Sequence, residues 1–278
     1  MIDRKELKSR AKLVLSRSYF TVLIACFLVS IVSGGGLGIS SKKMQSLNFT
    51  QMPVVKMMAV LIIISVLVLI AVGVSIFVLS PLRVGLKRFM LDNARENASL
   101  NLLIFPFQNG YKNVVLTEFM KGLFIFLWSL LAVIPTVILC VLFGLYEKLQ
   151  YLETAVSNGS FGAAAAFLGI AFLWLLLTLV FSIPAIIKEL QYAMVSYIVA
   201  EEPDISWRTA LAGSKEMMVG NKWEYVKLFF SFTLWYIAAN LCCCVGNVLL
   251  APYVEATFTE LYLDISGKTP MRTEFNQA

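Results

Sequence analysis

The run from Val54 to Leu79 constrains this chain more than any other stretch, because it is apolar almost throughout and Lys56 is its one charged residue. A helix rises about 1.5 Å per residue, so about 20 apolar residues cross a hydrocarbon core with every backbone group paired inside the helix. Five further runs meet or approach that length, over residues 19–39, 122–144, 161–187, 223–244 and 245–264. The last two nearly touch, which predicts a very tight turn around Cys243 to Asn247. Charged residues make up 14% of the chain, against roughly a quarter in soluble domains. The expected fold is therefore all-α: a polytopic membrane helix bundle of about six transmembrane spans in a single domain, residues 1–278, with the second span at 54–79.

The loops orient the bundle. Of the 23 Lys and Arg residues, 19 fall before the first span, between the second and third, between the fourth and the core of the fifth (so including Lys227), and after the sixth. The other four, among them Lys56 at the start of the second span, belong to the other side. Basic loops stay in the cytoplasm, so both termini are expected there, with an even number of spans. The first run is expected to remain as a span, since the first 18 residues are long and charged for a signal and no A-x-A-like site follows. The net charge of +6 is scattered between apolar runs and forms no stripe, which argues against a nucleic-acid partner.

Amphipathic segments join the spans. Residues 1–18 predict a basic interfacial helix, with Leu7, Ala11, Val14 and Leu15 on one face, Lys5, Lys8 and Lys12 on another, and Asp3 with Glu6 as a capping pair. Such a helix is expected to lie among anionic headgroups of the bilayer. Cytoplasmic amphipathic segments are expected at 81–113 and 188–222. The part from Leu100 to Tyr111 is too apolar for a free loop, and is expected to dip into the interface or pack beneath the bundle. Ser206 to Gly220 predicts one short helix, with Ser206 as its N-cap and Trp207, Leu211 and Met218 on one side.

Catalytic chemistry has little to work with. The absence of histidine removes imidazole metal sites, histidine proton relays and Ser-His or Cys-His pairs. Cys26, Cys140 and Cys242 to Cys244 show no C-x-x-C spacing and are expected to pack as small apolar residues. Gly34 to Gly38 is too short for a phosphate loop. Glu201 and Glu202 resemble the paired glutamates of intramembrane abortive-infection-type proteases, but those need histidines; here the pair is expected to cap a turn with Pro203. The glycosylation-type triplets at Asn48, Asn97 and Asn158 arise easily by chance. No enzyme activity, catalytic residue, cofactor or metal is expected.

Phe126 to Pro135 (FLWSLLAVIP) and Phe172 to Pro184 (FLWLLLTLVFSIP) echo each other, either by internal duplication, as in transporters with repeated halves, or by chance recurrence of Phe, Leu and Trp in apolar sequence, which the unequal spacing to the proline favours. Pro135 and Pro184 are expected to kink their helices and to free carbonyls for a neighbour. Gly162 to Gly169 (GAAAAFLG) has small-xxx-small spacing suited to close helix contact.

The C-terminal third carries a family pattern: Ile183-Pro184 at a span end, Tyr192 and Tyr197, an acidic turn at Pro203, Ser214, and Met218-x-Gly220-x-Lys222. Ser231-Phe232-x-x-Trp235, Gly246, Pro252-Tyr253, Phe258 and Tyr262 follow, and ELKSRAK at Glu6 to Lys12 and PLRVG at Pro81 to Gly85 fit the start and middle. In these residues the chain resembles the bacterial integral-membrane family called domain of unknown function 975. One departure is that Ala185 follows Pro184 and Thr136 follows Pro135, where the family usually has Ile-Pro-Gly. The resemblance implies this architecture and a bacterial inner membrane, and it implies no activity.

Ionisable groups inside a bilayer are expensive and are the default candidates for function. Glu255 lies about ten residues from each end of the last run, and Glu260 lies nearer its cytoplasmic end on roughly the opposite side. Arg83 and Lys87 are the expected pairing partners, if the segment after the second span tucks under the bundle. Either a proton- or cation-coupled site or an inter-helix clasp would answer to this pattern. Asn240 and Asn247 are expected to hold the last two helices together. Three functions remain: a non-enzymatic accessory, assembly or immunity-type factor acting through a protein partner or a second copy, a coupled small-molecule transporter using Glu255, and a lipid-binding or lipid-acting protein.

Overall fold

The computed structural model describes residues 4–31, 54–95, 98–138, 141, 160–241 and 245–268, and every regular element among them is helical. Gly34 to Gly38, Cys140 and Cys242 to Cys244 lie outside the described residues, as do all or part of the triplets at Asn48, Asn97 and Asn158. The helices are α1 (Arg4–Ser30), α2 (Val54–Val74), α3 (Ser80–Arg95), α4 (Phe105–Gln108) and α5 (Tyr111–Ser129). They continue as α6 (Ser160–Gln191), α7 (Val195–Glu201), α8 (Trp207–Met217), α9 (Lys222–Leu241) and α10 (Val245–Ile265).

Four helical stretches are long and apolar enough to cross a membrane: Arg4–Ser30, Met58–Arg95, Tyr111–Ile138 and Ala171–Glu201. They overlap the first four expected runs. The last two runs form α9 and α10, of 20 and 21 residues, which are not among those four; α10 carries Glu255, Glu260 and Asp264. The helix α2 is exposed along its described length, as a lipid-facing helix must be. It passes through a π-turn at Ser75–Leu79 into α3, and Tyr111 donates to the Phe77 carbonyl in that turn at 2.8 Å.

The chain divides into two compact units, one of Met1–Phe119 with Met194–Ala278, the other of Met120–Ala193. In the first, α1 bends at Ser18 (φ −141°, ψ 26°), whose hydroxyl donates to Asn93 Oδ1 at 2.9 Å. Leu7, Ala11, Val14 and Leu15, and beyond the bend Val22, Ala25, Cys26 and Val29, form one buried stripe at helical spacing. Part of this stripe packs with Leu86, Phe89 and Met90 of α3, Leu103 and Ala256. The face expected to enter the headgroup layer is thus covered by protein. Ala11 and Ala256 are small enough to let helices close on each other. The exposed side of α1 is mostly basic and polar before the bend, and beyond it is apolar, with Phe20, Ile24, Phe27 and Leu28 outward.

Two glycines fix how the segment after α3 folds back. A Cβ on Gly85 would stand 2.1 Å from the Leu103 carbonyl oxygen, so the 3-10 turn Leu100–Leu103 rests directly on α3. Gly110 takes φ +64° and faces Pro203, while Asn113 Nδ2 donates to the carbonyls of Pro203, at 2.6 Å, and Ile205. Leu103 and Pro106 are thereby buried within the unit, while Ile104 and Phe107 remain exposed. Further on, Ser206 caps α8 by accepting from Thr209 N at 3.3 Å, and Met194 N donates to Ser214 Oγ at 3.2 Å. Leu211 and Met218 are buried and Trp207 partly so.

Helices α9 and α10 approach closely, since a Cβ on Gly246 would meet Ala239 Cα and O at 2.7 Å. Residues 242–244, where much of the tight turn is expected, lie outside the described residues. Asn247 donates to Asn240 Oδ1 at 2.8 Å across the pair.

In the second unit the two prolines behave differently. Before Pro135 the helix tightens into a 3-10 turn, Leu130–Ala132, where Val133 N turns to the Leu130 and Leu131 carbonyls. Proline has no N–H for the Leu131 carbonyl, and the tighter turn satisfies it. The helix α6 continues unbroken past Pro184. Lys188 lies over the Trp128 ring at 5.0 Å. A Cβ on Gly169 would meet nothing within 4 Å among the described residues.

Candidate functional site

The ionisable groups of the first unit gather on α10 and its neighbours. Five positions along a helix turn it about 140° further round, so Glu255 and Glu260 point to different partners. Glu255, Thr259 and Tyr262, at i, i+4 and i+7, share one face, and Glu260 and Asp264, at i and i+4, share another.

On the first face, Lys87 Nζ of α3 lies 2.5 Å from Glu255 Oε2 and 3.2 Å from the Tyr197 hydroxyl of α7. Lys87 sits here because Val84, Leu86, Met90 and Leu91 bury the rest of α3 and bring its partly covered side to α10 and α7. Arg83, one turn earlier, is exposed and has no ion pair among the described residues. Of the two expected partners, it is Lys87 that touches Glu255.

On the second face, Arg10 of α1 meets three carboxylates: Glu6 at 2.6 Å, Asp264 at 3.5 Å and Glu260 at 3.9 Å. Glu260 is buried, and its Oε2 has no hydrogen-bond partner among the described residues. Arg10 is itself buried, and its nearest carboxylate, Glu6, is exposed. Arg10 was not singled out from the sequence. The available signal was its place in the apolar stripe, three residues after Leu7 and next to Ala11, where a helix of this kind puts its buried side.

A third cluster forms around Glu201 at the end of α7. Its carboxylate accepts from Arg95 at 2.9 Å, Lys268 at 2.7 Å and the Tyr262 hydroxyl at 2.7 Å. Arg88 donates to the Ala200 and Glu201 carbonyls at 3.2 and 3.4 Å, closing the helix end. Glu201 lies beyond the apolar run that ends at Ile187. Burial pushes its carboxyl up, but the bonds from Lys268, Tyr262 and Arg95 outweigh that and hold it below the ordinary value of 4.5. Tyr197 and Tyr262 stack at 4.9 Å between this cluster and the Lys87–Glu255 pair. The Glu201–Glu202 pair was expected to cap a turn with Pro203: Glu202 is the C-cap of α7 and its carbonyl accepts from Ile205 N at 3.2 Å, while the Glu201 side chain also anchors a network.

Chemically, these are matched charges. Glu201, Glu255 and Glu260 each face a cation of the same chain, and two tyrosines link two of the clusters. Such pairs fix geometry, and losing one partner strands the other, at about 3–5 kcal/mol for a fully buried pair. Among the described residues no group of three His, Cys, Asp or Glu is placed to hold a metal ion.

A family model described as Protein of unknown function (DUF975) matches residues 1–269. No curated protein and no solved structure matches the chain.

Proposed function

We propose, from the premise that this chain belongs to the DUF975 family, that it is a non-enzymatic, multi-pass protein of a bacterial inner membrane that works through a protein partner, as an accessory, assembly or immunity-type factor. The observation that carries this reading is the internal compensation of its inward-facing carboxylates. Glu255 meets Lys87, Glu260 faces Arg10, and Glu201 meets Arg95 and Lys268. Alongside its exposed charges the first unit also presents two large apolar side chains outward: Val219 and Trp223, at the elbow between α8 and α9, are 70% and 66% exposed. An exposed aromatic beside polar helix ends is a usual anchor for a protein partner.

The arrangement in the membrane belongs to the same proposal: six spans, with α9 and α10 as the last two and both termini in the cytoplasm. Single cysteines at Ser46 and Asn158 label from outside intact cells, and one at Asn97 does not; the reverse pattern overturns the orientation.

The partner reading is tested by isolating the tagged chain in gentle detergent and identifying co-purifying protein and lipid by mass spectrometry. A stoichiometric protein that is lost on Trp223→Ala, with membrane insertion unchanged, supports it. A chain that purifies alone with a retained small molecule counts against it. A carrier built on Glu255 would have to part Glu255 from Lys87 in each cycle, so Glu255→Gln would abolish flux; an accessory factor keeps its partner in that variant.

A further inference from the structure

We propose that the groove between α1, α9 and α10 is a binding site for one anionic phospholipid, with its headgroup at Lys12 and an acyl chain running toward Tyr19 and Leu249. The groove has a volume of about 480 Å³ and is lined by Lys12, Leu15, Ser16, Tyr19, Trp235, Leu249, Leu250 and Tyr253. That is within the range of small-molecule sites, about 300–1,000 Å³. Its lining is graded. Lys12, Leu15, Ser16 and Tyr19, at i, i+3, i+4 and i+7, form one face of α1 that passes from a cation and a hydroxyl to an aromatic ring. The far end is closed where the Tyr19 hydroxyl donates to the Leu249 carbonyl at 3.4 Å.

Charge selects the occupant. Lys12 is the only charged residue in the lining, and no described carboxylate pairs with it or with Lys8, one turn earlier. The acidic groups near this part of α1 are already taken on its other side, where Arg10 holds Glu6, Glu260 and Asp264. Lys8 is left over the Phe232 ring at 4.5 Å. Burial, with the nearby charges of Arg4 and Lys12, holds the Lys8 amine below its ordinary range. A phosphate at this end would relieve that repulsion. The rest of the lining is what an acyl chain seeks: Trp235 and Leu249 are exposed to 59% and 50%, and Trp, Tyr and Lys side by side suit the boundary between headgroup and chain. A zwitterionic lipid would fill the apolar part but would bring no net charge to the lysines.

The full chain is reconstituted in vesicles of equal parts phosphatidylglycerol and phosphatidylcholine, then released and weighed intact by native mass spectrometry. Phosphatidylglycerol is expected to be the retained lipid. Lys12→Glu is expected to weaken its retention by about fivefold or more, on the scale of one lysine at a membrane surface. Lys12→Arg keeps it, and Lys215→Glu, an exposed lysine of α8, leaves it unchanged. Leu249→Trp, which narrows the groove without touching charge, is expected to lower retention of both lipids and carries the test if Lys12→Glu unfolds. Equal retention of the two lipids by the natural chain, or undiminished phosphatidylglycerol in both Lys12→Glu and Leu249→Trp, overturns the proposal.

Discussion

Replacing Gly85 with alanine tests whether the turn at Leu100–Leu103 rests on α3. A Cβ there would lie 2.1 Å from Leu103 O, 2.8 Å from its carbonyl carbon and 3.1 Å from its Cα, whereas ordinary contact begins near 3.4 Å. The obstruction is backbone, so no rotamer change relieves it, and the turn must withdraw by about 1.3 Å. It is poorly placed to do so. Leu102 N and Ile104 N are bonded to Ser99 O and Asn101 O at 3.2 and 3.1 Å, and the Leu103 side chain is buried in the core. Overpacking of this kind costs about 1–3 kcal/mol, and the better helix propensity of alanine returns up to about 1 kcal/mol. With the full propensity gain a net loss of up to about 2 kcal/mol remains, and an obstruction made of backbone puts this site toward that upper end, a few degrees in melting temperature for a chain of this size. Gly213 in α8 is the matched control. A Cβ there meets only the flexible end of Ile198 at 3.6 Å, so Gly213→Ala is expected to hold or raise stability. Thermal unfolding of both variants in detergent, followed by tryptophan fluorescence, decides it. A Gly85→Ala protein that melts at or above the natural chain, or moves with Gly213→Ala, refutes the reasoning.

Three other outcomes are expected. Glu255→Gln and Lys87→Met each lower stability by about 2 kcal/mol, short of the fully buried limit because both side chains are partly covered, and Lys87→Met with Glu255→Leu loses less than the two together; strictly additive losses in a denaturant series would show that the pair is uncoupled. Because the folded-state value of Glu201 is depressed below 4.5, its contribution is complete above about pH 4.5 and is lost as the pH falls through the folded value. Glu201→Gln should flatten the acid limb of a stability–pH profile, and an unchanged slope would remove Glu201 as its source. Asn113→Ala leaves the Pro203 and Ile205 carbonyls without their donor and should cost about 1–3 kcal/mol; a melting temperature within error of the natural chain would mean the loops hold without it.

The helices were visible in the sequence because a membrane imposes length and apolarity on them. The Ser206 cap was visible for a local reason too, since a cap is made by its own neighbours. Partner choice is different. That Lys87 and not Arg83 meets Glu255 depends on how α3 rolls against α10 and α7, which no spacing along α3 determines. Arg10 was hidden by its basic surroundings in ELKSRAK, where one inward cation looks like its outward neighbours. The tyrosine stack joins residues far apart in sequence. The amphipathic face of α1 suits a headgroup layer and a helix partner equally well, and the small residues of α10 settled the competition.

The span of chain between paired charges bears on biosynthesis. Arg10 meets Asp264 across 254 residues, and Lys87 meets Glu255 across 168. Translation runs from the N-terminus, so both cations are in place long before α10 leaves the ribosome. Among the described helices, the one with the most carboxylates is also the last in chain order, and it arrives where its countercharges have already been made. The arrival of α10 is then a docking event onto a partly assembled protein, and a nascent chain halted before Val245 holds Arg10 and Lys87 with those carboxylates still to come.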